Sequence, residues 1–189
     1  MNIVFCGAGC VGQKCENILQ NYKLKYVKCE LKKNIIDFLQ SIGDVDLILS
    51  VHWPFLFNLQ EINYPKIGVL NLHNSYLPWN KGADACSWAI IDNTPHGATM
   101  HWIDSGIDTG DIFYQEKVDI LNDDTTDSLY KKTAETELIV FKKTIQLILD
   151  NNFIRNKQIG FGSFHKKSDF KKIIRAANTS NLQVVEINK

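Results

Sequence analysis

Apolar runs and amphipathic stretches alternate from the start of this chain, and that alternation limits the possible folds more than any other feature. Residues 3–6 read as a strand, 9–21 as a helix, 26–29 as a strand, 34–42 as a helix and 46–50 as a strand, a βαβαβ series. Strands separated by helical crossovers pair in parallel, and a parallel sheet is covered on both faces. The unbroken apolar run Leu47-Ile48-Leu49 fits burial from both sides. The expected class is α/β: an open, mostly parallel sheet with helices on both faces.

At 189 residues the chain is long enough for one domain, or one domain with a short appendage. Its 44% hydrophobic and 22% charged residues exclude disordered, collagen-like and coiled-coil chains. The 21 Lys and Arg balance the 21 Asp and Glu, so overall charge draws in neither nucleic acid nor an acidic membrane, and any anion site is local. Five cysteines, four of them within the first thirty residues, do not form a disulfide framework. The spacing Cys6-x3-Cys10-x4-Cys15 lacks a second ligand pair, so reduced buried thiols are expected and no metal site is assigned. The N-terminus MNIVFCGAGC has no basic region before its short apolar run, which places the expected location in the cytoplasm.

All four Trp (53, 79, 88, 102), all four Pro (54, 65, 78, 95) and four of the five His (52, 73, 96, 101) fall between residues 52 and 102. Here a strand is expected at 68–72, an irregular loop to Gly82, a helix at 83–91, a strand at 97–103, a turn at 104–111 and a strand at 112–118. Long loops inside compact domains usually carry function. From 125 to 149, Leu129, Leu138, Phe141, Ile145 and Ile148 recur at helical spacing, with Asp124 as the expected cap.

Gly7-Ala8-Gly9-Cys10-Val11-Gly12 is a G-x-G-x-x-G stretch between a strand and a helix, and Glu30 closes the second strand. In that context it fits a nucleotide-binding module without chemistry, with the acid on a ribose hydroxyl. A tight strand-to-helix turn, however, needs glycine for backbone reasons whatever it binds.

The chemistry is concentrated elsewhere. Asn71 and His73 stand two apart at a strand end, so their side chains share one face. The glycine-rich turn Asp104-Ser105-Gly106-Ile107-Asp108-Thr109-Gly110-Asp111 can bring a carboxylate to the imidazole, fixing its tautomer and favouring its charged form. Amide donor, base and orienting acid together suit acyl transfer. Taken singly, such a His is more often structural and such an Asn a turn former. Trp79, beside Pro78 in a loop, is either a hinge aromatic or a stacking platform for a sugar or base.

On the stretch Asn71-Leu72-His73-Asn74-Ser75-Tyr76-Leu77-Pro78 and the Asp-x-Gly-x-Asp-Thr-Gly turn about 35 residues later, the sequence resembles the folate-dependent formyltransferases, the family of glycinamide ribonucleotide, methionyl-tRNA and nucleotide-sugar N-formyltransferases. The resemblance spans roughly residues 1–150. It implies a single Rossmann-like formyltransferase domain over 1–150 with a short C-terminal extension over 151–189. It also implies that Asn71, His73 and Asp108 are catalytic and that 10-formyltetrahydrofolate is the co-substrate. The run from Tyr76 to Asp84 and the tail from Gly162 to Asp169 look most like the nucleotide-sugar branch, with the glycinamide ribonucleotide and methionyl-tRNA types as alternatives.

The resulting expectation is an N-formyltransferase acting on the primary amine of an amino sugar nucleotide, with a homodimer left open. The folate is expected in the cleft at the carboxyl ends of the strands, against His52, Trp53, Phe55, Leu56, Asp104, Gly106 and Ile107. Ser75, Trp79, Asn80, Lys81, Gly82, His165, Lys166 and Lys167 are the expected substrate contacts. Residues 155–175 carry seven Lys or Arg against one acid, either a solvated surface or a phosphate contact.

Overall fold

The computed structural model describes residues 1–30 and 32–169. The elements run β1 (Ile3–Gly7), α1 (Gly9–Asn21), β2 (Tyr26–Lys28), α2 (Ile36–Ile42), β3 (Leu47–Val51), α3 (Leu59–Asn63), β4 (Gly68–His73), β5 (Lys81–Gly82), α4 (Ala85–Ile91), β6 (His96–Trp102), β7 (Ile112–Val118), α5 (Thr126–Leu149) and β8 (Phe164–His165). Six strands make one sheet in the order β2-β1-β3-β4-β6-β7, and β5 pairs with β8 apart from it. The β2, β1, β3 and β4 pairings are parallel, while β6 is antiparallel to both β4 and β7. The sheet is thus mostly parallel and of the α/β class, as the alternation implies.

Side-chain alternation along the strands divides the interior. Ile3, Phe5, Leu47, Leu49, Leu70, Leu72 and Met100 project to one face and pack with Val11, Leu19, Val140, Phe141 and Ile145 of α1 and α5. Val4, Cys6, Ile48 and Val69 project to the other face, where Leu39 of α2 and its neighbours cover them. Farther along the same strands this second face turns polar, at Ser50, Asn71, His73 and His101, and there it floors a cleft. Hydrophobic covering and functional floor therefore lie on one sheet face, separated only by position along the strands.

Several local features depart from the sequence expectation. The long helix is capped by Thr125, which exchanges hydrogen bonds with Ser128; Asp124 instead accepts from Leu121 N, Ser128 Oγ and Lys132 Nζ. The helix expected from residue 83 begins at Ala85, because Gly82 and Asp84 hold left-handed φ angles of 92° and 60°. α3 was not expected, although its Asn58–Glu61 capping box is a readable start signal. The five cysteines are free thiols, with Cys10 exposed and the other four buried.

Candidate active site

Strand register builds the floor of the cleft. Ser50 pairs with Asn71 across β3 and β4, and Asn71 pairs with His101 across β4 and β6. Ser50 Oγ donates to Asn71 Oδ1 at 2.8 Å, which turns the amide so that its NH2 faces the other way. His101 donates from Nδ1 to the Trp102 carbonyl at 2.8 Å, and its Nε2 lies 3.3 Å from both Asn71 Nδ2 and Asp108 Oδ1. With its oxygen engaged by Ser50, the Asn71 amide keeps its NH2 as the donor for an oxygen in the cleft. His73, 8% exposed, sits with Nε2 3.1 Å from the Asn80 carbonyl. A carbonyl can only accept, so Nε2 carries the proton and Nδ1 the lone pair.

Asp108 is the hub that joins the two imidazoles. Its Oδ2 accepts from Gly82 N at 2.8 Å and lies 3.7 Å from His73 Nε2, while Oδ1 lies 3.3 Å from His101 Nε2. Burial alone raises a carboxyl pKa. Here His73 and His101, with the Gly82 N–H, outweigh it and hold Asp108 well below the usual carboxylate range. It is therefore ionised and ready to stabilise an imidazolium on either side. The turn that carries it is itself braced: Asp104 Oδ1 accepts from Gly106 N and Thr109 Oγ1, and Gln158 Nε2 donates to the carbonyls of Asp108 and Gly110, each at 2.8 Å.

The cleft above this floor has a volume of about 920 Å³. All seven residues expected to face a folate, His52, Trp53, Phe55, Leu56, Asp104, Gly106 and Ile107, line it, as do Asn71, His73 and Asp108. Of the expected substrate contacts, Gly82, His165, Lys166 and Lys167 line it as well. Ser75 is fully buried, with its carbonyl accepting from Thr99 Oγ1. Asn80 is equally buried and bonds Thr94 and Ser163. Trp79 lines a separate 510 Å³ cavity beside Tyr114 and Ile159. The structure does not bring these three to the cleft, and Lys81 enters the β5–β8 pairing rather than the cleft wall. The His165 ring lies flat on Trp88, centroids 3.9 Å apart, with Nε2 3.1 Å from Asp92, a packing that fastens its segment beside the cleft.

That fastening makes the tail part of the site. Ser163 N donates to the Pro78 carbonyl, Lys81 N to the Ser163 carbonyl and Ala83 N to the His165 carbonyl. A Cβ on Gly82 would lie 2.2 Å from the His165 carbonyl oxygen, so only glycine permits this approach. Lys166 and Lys167 are carried to the cleft rim, whereas Lys171, Lys172 and Arg175 of the basic stretch lie outside the described residues.

Ser50 and His101 were absent from the sequence-derived site, although period two on two neighbouring strands could have flagged them beside Asn71. The glycine motif takes no part in either cavity. It forms a tight turn in which a Cβ on Gly12 would come within 2.9 Å of the Gly7 carbonyl carbon, and Glu30 is exposed beyond β2. Among the described residues no group of three or more His, Cys, Asp or Glu is placed to hold a metal ion, and no helix is long and apolar enough to cross a membrane.

A mostly parallel α/β sheet with an amide, an imidazole and an ionised carboxylate at one cleft defines a protein suited to acyl-group transfer. The chain belongs to the formyl transferase family, whose pattern matches residues 17–145. It is similar to the solved formyltransferase PseJ of Anoxybacillus kamchatkensis, in complex with UDP-4,6-dideoxy-4-formamido-L-AltNAc and tetrahydrofolate. The identity is 29% and the TM-score 0.79, covering 93% of this chain and 90% of that one. The bifunctional polymyxin resistance protein ArnA of Wigglesworthia glossinidia brevipalpis is 33% identical over 61% of this chain. The methionyl-tRNA formyltransferase of Caldanaerobacter subterraneus subsp. tengcongensis is 29% identical over 71% of it. The chain spans only 18% and 45% of the lengths of these last two proteins.

Proposed function

We propose that the chain moves a formyl group from 10-formyltetrahydrofolate to the primary amine of a nucleotide-linked amino sugar. The observation that carries this reading is the convergence of Asn71, His73 and Asp108 on one cleft with an apolar wall and a basic rim. The wall suits a flat aromatic ring: Leu56 is 77% exposed and Ile107 40% exposed, both facing the cleft beside Trp53 and Phe55. At the rim, Lys166 and Lys167 suit a pyrophosphate. The likeness to a formyltransferase solved with a UDP-sugar and tetrahydrofolate supports both assignments.

The folate supplies the formyl carbon to which the neutral amine adds. Asn71, its amide oriented by Ser50, donates an N–H to the oxygen on which charge develops, a contribution of roughly 10² to 10³ in rate for such a donor. His73 takes the amine proton at Nδ1, since Nε2 is committed to the Asn80 carbonyl. Asp108 stabilises the imidazolium so formed from 3.7 Å; as the C–N bond to the folate breaks, the proton held by His73 passes to the departing folate nitrogen, releasing tetrahydrofolate and the formamide and restoring neutral His73.

The test is a panel of amino-sugar nucleotides incubated with 10-formyltetrahydrofolate and read by mass spectrometry, with methionyl-tRNA as a separate arm. Gain of one formyl group on a sugar nucleotide is the expected result. Formylation of methionyl-tRNA alone, or of no amine offered, would overturn the reading.

A further inference from the structure

Glu137 is a carboxylate at a position where α5 otherwise presents core residues. It is 0% exposed, as are Leu129, Thr133, Val140 and Phe141 on the same side of the helix. Its Oε1 lies 2.7 Å from His52 Nε2, and its Oε2 has no hydrogen-bond partner among the described residues. Burying a carboxylate is costly unless it is paired, and His52 is the partner the structure gives it. A well-packed leucine would suit a purely structural position better.

His52 is unusual in its own right. Continuing the alternation of β3 would set it beside Ser50 on the cleft face, yet α5 packs against the opposite face. The backbone resolves this with a left-handed residue: φ at His52 is 51°, which carries the ring around the end of the sheet to Glu137. A non-glycine residue in that region persists only where its surroundings hold it there. Burial alone would depress the histidine pKa, but the hydrogen bond and charge of Glu137 raise it, so the pairing favours the charged ring. Directly after this kink come Trp53, Phe55 and Leu56, the apolar wall of the cleft. The far end of the segment is fixed independently by the Asn58–Glu61 capping box, with Glu61 Oε1 accepting from Ile35 N at 2.7 Å.

We propose that Glu137 is a positioning residue for the folate wall: by accepting from His52 across the end of the sheet, it holds residues 52–57 in the shape that receives the pterin ring. This rests on the functional reading above, in which that wall contacts 10-formyltetrahydrofolate. Glu137 touches no reactant. Its effect falls on the cost of ordering the wall when folate binds, and so on folate affinity rather than on the chemical step.

The test compares the full chain with Glu137→Leu, Glu137→Met and Glu137→Gln, the methionine variant guarding against failure of the leucine variant to fold. Amide hydrogen exchange without ligand reads the wall directly. In the Leu and Met variants protection should fall across residues 52–57 and stay unchanged in β1, β4 and the Asp108 turn. Tetrahydrofolate titrated against tryptophan fluorescence should show Kd raised about tenfold. KM for 10-formyltetrahydrofolate should rise in parallel, with kcat at saturating folate and KM for the amine within twofold of the parent. Glu137→Gln keeps an acceptor for the His52 N–H and should restore both protection and Kd to within about threefold. Unchanged folate affinity in the Leu and Met variants, exchange rising uniformly over the molecule, or a Gln variant as impaired as Leu would each overturn the proposal. Failure of the parent chain itself to bind tetrahydrofolate would instead remove the functional reading, and this inference with it.

Discussion

Acidification from pH 7 to pH 5 should destabilise the fold by about 2 kcal/mol through His96 alone. His96 is 1% exposed in β6, with Nε2 2.9 Å from Thr133 Oγ1 and 3.4 Å from Cys86 Sγ, and its Nδ1 has no partner among the described residues. Burial, and after it the charge that nearby His73 can carry, pulls its pKa from 6.5 down to about 4. The unfolded chain therefore takes up this proton first as pH falls. The contribution is present in full above about pH 6.5, declines as pH drops below it, and levels off below about 4. Between 6.5 and 5 lie about 1.5 units at 1.36 kcal/mol each, or about 2 kcal/mol. For a chain of this size that is a fall in Tm of about 4–8 °C. Calorimetric melts of the parent and of His96→Gln at pH 7 and pH 5 isolate the effect, because other titrating groups are common to both. The parent should lose about 4–8 °C more than the variant. Equal losses would show that the His96 pocket does not exclude the proton, and the reasoning would fail.

Two further outcomes follow from the site. His73→Asn and Asp108→Asn should each lower single-turnover formyl transfer by about 10²- to 10⁴-fold while tetrahydrofolate binding stays within threefold, since both act on proton transfer; near-normal turnover in either would remove the proposed roles. Lys166 and Lys167 replaced together by Ala should raise KM for a sugar nucleotide by about tenfold, leaving kcat and the folate KM unchanged in steady-state assays; an unmoved KM would make the rim a solvated surface.

What was legible in the sequence is what short-range periodicity encodes. The β1 to β3 series, α5 and the placement of Asn71 beside His73 follow from periods of two and 3.6. The position of the cleft was legible because strand ends in an open sheet point to one crevice. What was not legible depends on contacts distant along the chain. β5 and β8 are two-residue strands that exist only because each finds the other across more than eighty residues. Ser75 and Asn80 read as substrate contacts from their motif, but both are fully buried, the first with its carbonyl accepting from Thr99 and the second bonded to Thr94 and Ser163, partners far along the chain. Glu137 carries no signal in the sequence, because a buried charge can be recognised only once its partner is in place. Gln158 likewise has no signal apart from the turn it holds.

That same glutamine bears on the order in which the chain is made. The carbonyl of Asp108 accepts from a side chain fifty positions later, and Ser163 and His165, which hold the loop at Asn80 and Gly82, come later still. At a synthesis rate of about 5–20 residues per second, those fifty positions separate the emergence of the Asp108 turn from that of its brace by about 3–10 s. During that interval a nascent chain carries the residues of the proposed site, but not the Gln158 bonds to the Asp108 turn. A ribosome-bound intermediate halted after α5 should accordingly present the family's core fold with the Asp108 turn held by its own Asp104 bonds but lacking the Gln158 brace.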